Sequence, residues 1–95
     1  MAESHVTIAT TNSRRYQSQL CKHWRHKLDV EGHETHAIVR LPRALLTMHA
    51  DEAALQVHLL ADDADGLEAM KHVVTSHLDR FAFREAPFDY LWNDA

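Results

Sequence analysis

The spacing of apolar and polar residues along the chain predicts strands and two helices. Residues 5–10 alternate polar and apolar side chains, as a short strand does. Four large apolar residues then recur at every fourth position, as on one side of a helix: Tyr16, Leu20, Trp24 and Leu28. They predict a first helix from about residue 13 to 27. Side-chain oxygens at positions 11–13 offer N-cap chemistry where that helix begins.

The middle of the chain predicts an antiparallel meander of four strands, because alternating stretches are separated by short turns. The predicted strands are residues 28–31, 35–41, 45–49 and 55–60. Gly32-His33 and a loop at residues 51–54 turn the chain within each hairpin, and Pro42-Arg43 joins the two hairpins. Neighbouring strands along the chain are therefore expected to be neighbours in the sheet.

A second helix is predicted after a cluster of three aspartates, because negative charge complements the positive end of a helix dipole. Its apolar stripe extends to about residue 82 and consists of Leu67, Met70, Val74, Leu78 and Phe81. Beyond Pro87, aromatic residues occupy every second position, at 88, 90 and 92, and predict a closing strand.

Together these elements predict one α+β domain over residues 1–95, in the order β-α-β-β-β-β-α with a closing strand. Two amphipathic helices need an apolar surface to cover, and one face of a sheet supplies it. The sequence therefore predicts a curved antiparallel sheet with both helices packed on one face.

Charge and cysteine content limit the classes of function. The net charge is −4, but residues 1–47 carry a balance of +3 and residues 48–95 a balance of −7. The acidic total and the few aromatic residues near the basic part do not favour nucleic-acid binding. A single cysteine excludes an internal disulfide. No stretch resembles a signal peptide or a membrane span, so we expect a cytoplasmic protein without a membrane contact.

The densest chemistry lies in the first helix, where Cys21 and His23 flank Lys22. At about 100° per residue, the two side chains fall on opposite margins of the apolar stripe. Residues two apart on a helix do not face each other, so they cannot form a nucleophile–base pair or share a metal ion. Any shared chemistry must recruit other residues, and His77 and Arg80 of the second helix are the favoured partners.

A second group of histidines is predicted on the sheet. If residues 51–54 form a four-residue loop and Pro42-Arg43 a two-residue loop, apolar residues face apolar residues throughout the meander. The same register places His36 directly opposite His49, with His58 on the same face. This group is a candidate for binding a metal, an anion or a partner chain, and the alternative is an ordinary solvated face.

Two motifs resemble a small bacterial domain family of unknown function. They are Gln19-Leu20-Cys21-Lys22-His23-Trp24-Arg25-His26-Lys27 and His77-Leu78-Asp79-Arg80-Phe81-Ala82-Phe83-Arg84-Glu85. That family is similar to this chain over nearly its whole length and occurs both free-standing and fused to siderophore-interacting, flavin-containing ferric reductases. The resemblance implies an accessory role in iron uptake, by contact with an iron-siderophore or with such a reductase. It supplies no catalytic residue.

The leading hypothesis is therefore a non-catalytic binding or accessory domain with no cofactor of its own, linked to iron or siderophore handling. A second hypothesis is an interaction module that dimerises through its open sheet face, so the chain is expected to be a monomer or a homodimer. A third is a metal-binding or thiol-dependent protein. Its thiol would be Cys21, activated by nearby cations.

Overall fold

The computed structural model describes residues 1–95 as a six-stranded antiparallel sheet and two helices. The elements are β1 (Ala2–Ala9), α1 (Ser13–Trp24), β2 (Val30–Gly32), β3 (His36–Arg40), β4 (Ala44–Ala50), β5 (Ala54–Ala61), α2 (Ala64–Phe81) and β6 (Asn93–Asp94). Across the sheet the strands follow the order β2-β3-β4-β5-β1-β6. The α+β class and the predicted order of elements are confirmed, including the meander from β2 to β5.

One face of the sheet is buried beneath both helices because apolar side chains alternate along every long strand. Val39, Met48 and Val57 are completely buried, and Leu20 of α1 and Val74 of α2 lie in the same core cluster. The predicted register is confirmed in the two central hairpins, where Met48 pairs with Val57 and Val39 with Leu46. Apolar residues match across the strands, which is the condition that fixes the register.

Helix α1 is shorter than predicted and ends at Trp24. The chain turns there, and the Leu28 amide still donates to the carbonyl of Trp24 (2.8 Å). The predicted N-cap bond is also wrong. Asn12 occupies the N-cap position without capping the helix, and its Nδ2 donates to Glu85 instead (3.1 Å).

Helix α2 begins as the aspartate cluster predicts. The carboxylate of Asp63 accepts a hydrogen bond from the Gly66 amide (2.6 Å), which satisfies one of the free N–H groups of the first turn. The predicted stripe is buried from Leu67 to Leu78, and Phe81 is half-buried. Neither helix combines the length and the apolar character that crossing a membrane requires.

The predicted closing strand at residues 88–92 is wrong, since that segment has no regular structure and only Asn93–Asp94 pair with β1. The aromatic side chains explain the difference because they anchor the segment to the helices. The Tyr90 hydroxyl donates to Asp79 of α2 (2.6 Å), and the Phe88 ring lies edge-on to Tyr16 (6.4 Å between centroids). The chain therefore follows the helical layer before it reaches the sheet edge.

Candidate functional site

Cys21 and His23 lie in separate environments on α1, as the helix geometry predicts. The Cys21 side chain is buried on the side of α1 that faces β2, where Gly32 is a close neighbour. His23 instead lies on the side that faces α2. A cysteine–histidine pair within this motif is therefore excluded by the packing of the helix on which both residues lie.

His23 meets His77 of α2. Their ring centroids are 5.1 Å apart, and the His77 ring lies 5.3 Å from that of Trp24. Phe81 packs edge-on against His23 at 5.6 Å. Four aromatic rings from the two helices thus form one contiguous group at the end of α1.

The tautomer of His77 and the pKa of His23 follow from their neighbours. Nδ1 of His77 lies 2.7 Å from the Val73 carbonyl oxygen, which can only accept, so Nδ1 carries the proton and Nε2 keeps its lone pair in the neutral ring. Desolvation lowers the pKa of His23, and the positive charges of His77 and Arg80 lower it further. The lowered pKa favours the neutral form of His23, whose ring is then suited to accept a hydrogen bond.

This aromatic group borders a cavity of about 450 Å³ between the helices, which we call the inter-helix pocket. Its lining consists of His23, Trp24, His26, Lys27, Leu28, Leu41, Pro42, Met70, Val73 and His77. Rings and aliphatic side chains form most of the surface, and Lys27 is the one lysine or arginine in it. An apolar cavity of this size with a few polar groups is the usual form of a small-molecule site.

The thiol of Cys21 is not activated as a nucleophile. Burial raises its pKa, and the nearby positive charge of Arg25 offsets this only in part. The reactive form of cysteine is the thiolate, so a raised pKa keeps the group in its inert thiol form at neutral pH.

The three histidines of the sheet share the uncovered face but have different partners. His36 lies directly opposite His49, as predicted, and its ring stacks on His33 (4.5 Å between centroids). His58 pairs across the strands with Thr47, and its Nε2 lies 2.8 Å from a carboxylate oxygen of Glu3. No three His, Cys, Asp or Glu side chains converge in a way that would hold a metal ion.

Residues 5–93 match the family model described as an uncharacterised protein conserved in bacteria, DUF2218. The chain belongs to this family. It is also similar to the protein in the NMR structure of PA4090 from Pseudomonas aeruginosa, at 29% sequence identity and a TM-score of 0.82. That likeness covers 98% of this chain and 96% of the other. No curated protein matches the sequence significantly.

This DUF2218 domain contains two clusters of polar side chains that were not predicted from the sequence. The carboxylate of Glu85 accepts hydrogen bonds from Tyr16, Asn12 and Thr10. Lys71 is almost fully buried and lies 2.7 Å from both Glu68 and Asp94. The carboxylate of Glu85 joins the end of α2 to the β1–α1 junction. No local pattern reveals such partners, because most of them are far apart in sequence.

Proposed function

We propose that this DUF2218 protein is a non-catalytic binding domain whose ligand carries an aromatic ring with hydroxyl groups. The observation that carries the proposal is the inter-helix pocket, where His23, Trp24 and His77 border an otherwise apolar cavity. Flat aromatic surfaces at this spacing favour a planar guest, because rings stack or meet edge-on at centroid distances of about 4.5–7 Å.

The polar groups of the pocket indicate which chemical groups the ligand carries. His77 keeps Nε2 as a hydrogen-bond acceptor, which suits a phenolic O–H donor. Lys27 supplies a positive charge in the lining, and Arg80 adds another near His23. A phenol or catechol combines a flat ring, an acidic hydroxyl and a partial negative charge, so it satisfies all three features.

Binding rather than catalysis is supported by the composition of the pocket. Its lining contains no carboxylate, hydroxyl or thiol side chain to act as a nucleophile, and we assign its imidazoles to hydrogen bonds with the ligand. The thiol of Cys21 lies on the other side of α1 and is held in its protonated form.

We further propose that the guest is the catecholate arm of an iron-siderophore, which would make the domain an accessory to iron handling. The support is chemical, since a metal-bound catecholate arm is a planar anionic ring that suits the aromatic surfaces and the charge of Lys27, whereas the O–H donor for His77 is present only in the free catechol. It is strengthened by the resemblance of the two sequence motifs to domains attached to siderophore-interacting reductases. A cavity of about 450 Å³ accommodates one such arm while the metal stays outside.

The test is an NMR titration with 2,3-dihydroxybenzoate, first alone and then as its diamagnetic gallium complex. We expect shifts of the ring resonances of His23, Trp24 and His77 that saturate, with the resonances of the exposed His72 unchanged. In His77→Ala the affinity should fall about tenfold, because a hydrogen bond and a ring contact are both lost. His72→Ala on the same helix is the matched control. Unchanged affinity in His77→Ala would contradict the aromatic-ligand proposal, and binding of the free acid without the gallium complex would contradict the siderophore version.

A second candidate function is homodimerisation through the uncovered sheet face. The observation that favours it is an apolar patch, since Leu45 and Leu60 pair across β4 and β5 and border a shallow cavity of about 340 Å³ with Met1. Sedimentation at high protein concentration should then show a dimer that Leu45→Lys dissociates and Thr47→Lys, elsewhere on that face, disturbs less. A monomer at every concentration would remove this candidate.

A further inference from the structure

A second cavity lies on the opposite side of α1 from the inter-helix pocket, and the proposed aromatic site does not use it. It has a volume of about 510 Å³ and opens between α1 and the turn that joins β2 to β3. We call it the basic groove. Its cationic residues are Arg14, Lys22 and Arg25, and Cys21 is its one apolar lining residue. A cavity of this size is large enough for a small molecule, but its walls suit a polar one.

The groove is built by two adjacent rows of α1 in which successive residues are four positions apart. Arg14, Ser18 and Lys22 form one row. Gln17, Cys21 and Arg25 form the other. Residues at this spacing lie on the same side of a helix, so both rows face the β2–β3 turn together. The three cations are thus presented along one wall rather than dispersed around the helix.

Positive charge is in excess at this wall. Arg14 is partly neutralised by Glu34 across the groove, at 3.4 Å. Lys22 and Arg25 form no ion pair with any carboxylate of the chain. Two uncompensated cations therefore lie next to each other in the lining of the groove. They create a local positive potential that attracts an anion.

Gly32 sets the position of the Arg25 guanidinium. A Cβ at residue 32 would lie only 2.9 Å from Nη2 of Arg25 and 3.7 Å from Sγ of Cys21. Because glycine has no side chain, the guanidinium packs directly against the strand backbone. The planar fork of this guanidinium matches the geometry of an oxyanion.

Gln17 lines the groove and connects its two sides. Its side chain is 2% exposed, and Nε2 donates to the carbonyl of His33 (3.2 Å), which ties the β2–β3 turn to α1. Oε1 has no hydrogen-bond partner. Buried polar atoms are normally satisfied, so Gln17 keeps an unmet acceptor next to the lining of the groove.

We infer that the basic groove binds a small oxyanion-bearing molecule, with Lys22 and Arg25 as the charge partners of its phosphate or carboxylate group. Cys21 forms the floor of the site and takes no part in a reaction. The groove and the inter-helix pocket lie on different sides of α1 and share no lining residue, so either site can exist without the other.

The test is an NMR titration of the amide resonances with pyrophosphate and with citrate at constant ionic strength, since screening otherwise changes all surface charges. We expect saturable shifts confined to Ser18, Lys22, Arg25 and residues 32–34. The anion that binds more tightly identifies phosphate or carboxylate as the preferred group. If neither anion produces such shifts, the inference is wrong.

Three variants distinguish a specific anion-binding site from nonspecific electrostatic attraction. Arg25→Gln should weaken binding about tenfold or more, because a charge-assisted hydrogen bond is lost. Arg84→Gln, which removes the same charge from an exposed position outside the groove, should leave affinity unchanged. Gly32→Ala should weaken binding about threefold without any change of charge, because the new methyl group displaces the guanidinium. Equal affinities of Arg25→Gln and Arg84→Gln would overturn the inference.

Discussion

The imidazole rings of His23 and His77 lie 5.1 Å apart, centroid to centroid, across the interface of the two helices. Each ring belongs to one of the two motifs that mark the family resemblance. The contact therefore brings two distant stretches of sequence together at the border of the inter-helix pocket. Electrostatic coupling between the two rings follows from this proximity.

Arg80→Gln should raise the pKa of His23. Desolvation is the largest cause of the lowered value, so the pKa should move only part of the way towards 6.5 when the positive charge of Arg80 is removed. A pH titration followed by the ring resonances of His23 measures the change directly. Arg84→Gln is the control of equal charge and should leave the titration unaltered. A pKa that does not rise in Arg80→Gln would show that the charge of Arg80 makes no contribution.

The same lowered pKa predicts the sign of a pH effect on stability. The unfolded chain binds a proton at His23 more readily than the folded one, so the free energy of unfolding should fall as pH decreases below about 6.5. In His23→Gln this part of the pH dependence should disappear, as urea unfolding at several pH values would reveal. An identical pH profile for the wild type and His23→Gln would contradict the prediction.

Much of the fold was predictable because local patterns determine it. The register that sets Met48 opposite Val57 follows from the need to match apolar faces, and the helical stripes follow from regular spacing. The position of β1 beside β5 was not predictable, since no local feature states which distant strand is its neighbour. The error at residues 88–92 has a similar cause, because the partners of Tyr90 lie on α2.

Tyr16→Phe should destabilise the protein by about 1 kcal/mol, the typical contribution of one hydrogen bond. The Tyr16 hydroxyl donates to Glu85, and this bond is the largest cause of the lowered pKa of that carboxyl group. A lowered pKa gives stability that is present above the usual value of 4.5 and is lost as pH falls through the folded value. The difference between the wild type and Tyr16→Phe in urea unfolding should therefore shrink in acid. A constant difference would contradict this.

Cys21 should react slowly with iodoacetamide at neutral pH. Its side chain is buried and its pKa is raised, so little thiolate is available. We expect labelling at least about tenfold slower in the folded protein than in 8 M urea, measured by mass spectrometry, because only an opened or unfolded chain exposes the thiol. Equal rates in both conditions would restore the hypothesis of a thiol-dependent protein.

The candidate sites were predictable only in part. Helix geometry was sufficient to separate Cys21 from His23, because both lie on one element whose spacing is known. The inter-helix pocket depends on where α2 packs against α1, and the basic groove depends on Gly32 approaching Arg25. These are tertiary relationships, and residue types alone indicated only that His77 and Arg80 were suitable partners for His23.

Lys71→Met should detach the C-terminal strand β6 while leaving the core intact. Burial alone would lower the pKa of Lys71, but hydrogen bonds to Asp94 and Glu68 raise it above its usual value. Methionine retains the length and the apolar stem of the side chain but removes the charge that holds Asp94. Hydrogen exchange should therefore accelerate at the amide of Ala95, which donates to the Glu3 carbonyl (3.1 Å), and stay slow at Val74 in α2.

Acid should reproduce this detachment in the wild type. The hydrogen bond from Lys71 lowers the pKa of Asp94, so the contact is complete above the usual value of 3.8 and is lost as pH falls through the lower, folded value. The matched control for Lys71→Met is Lys22→Met, which removes an exposed lysine from α1. It should leave hydrogen exchange at Ala95 unchanged. Equally slow exchange at Ala95 in Lys71→Met would mean that the backbone pairing with β1 holds the strand without the buried lysine.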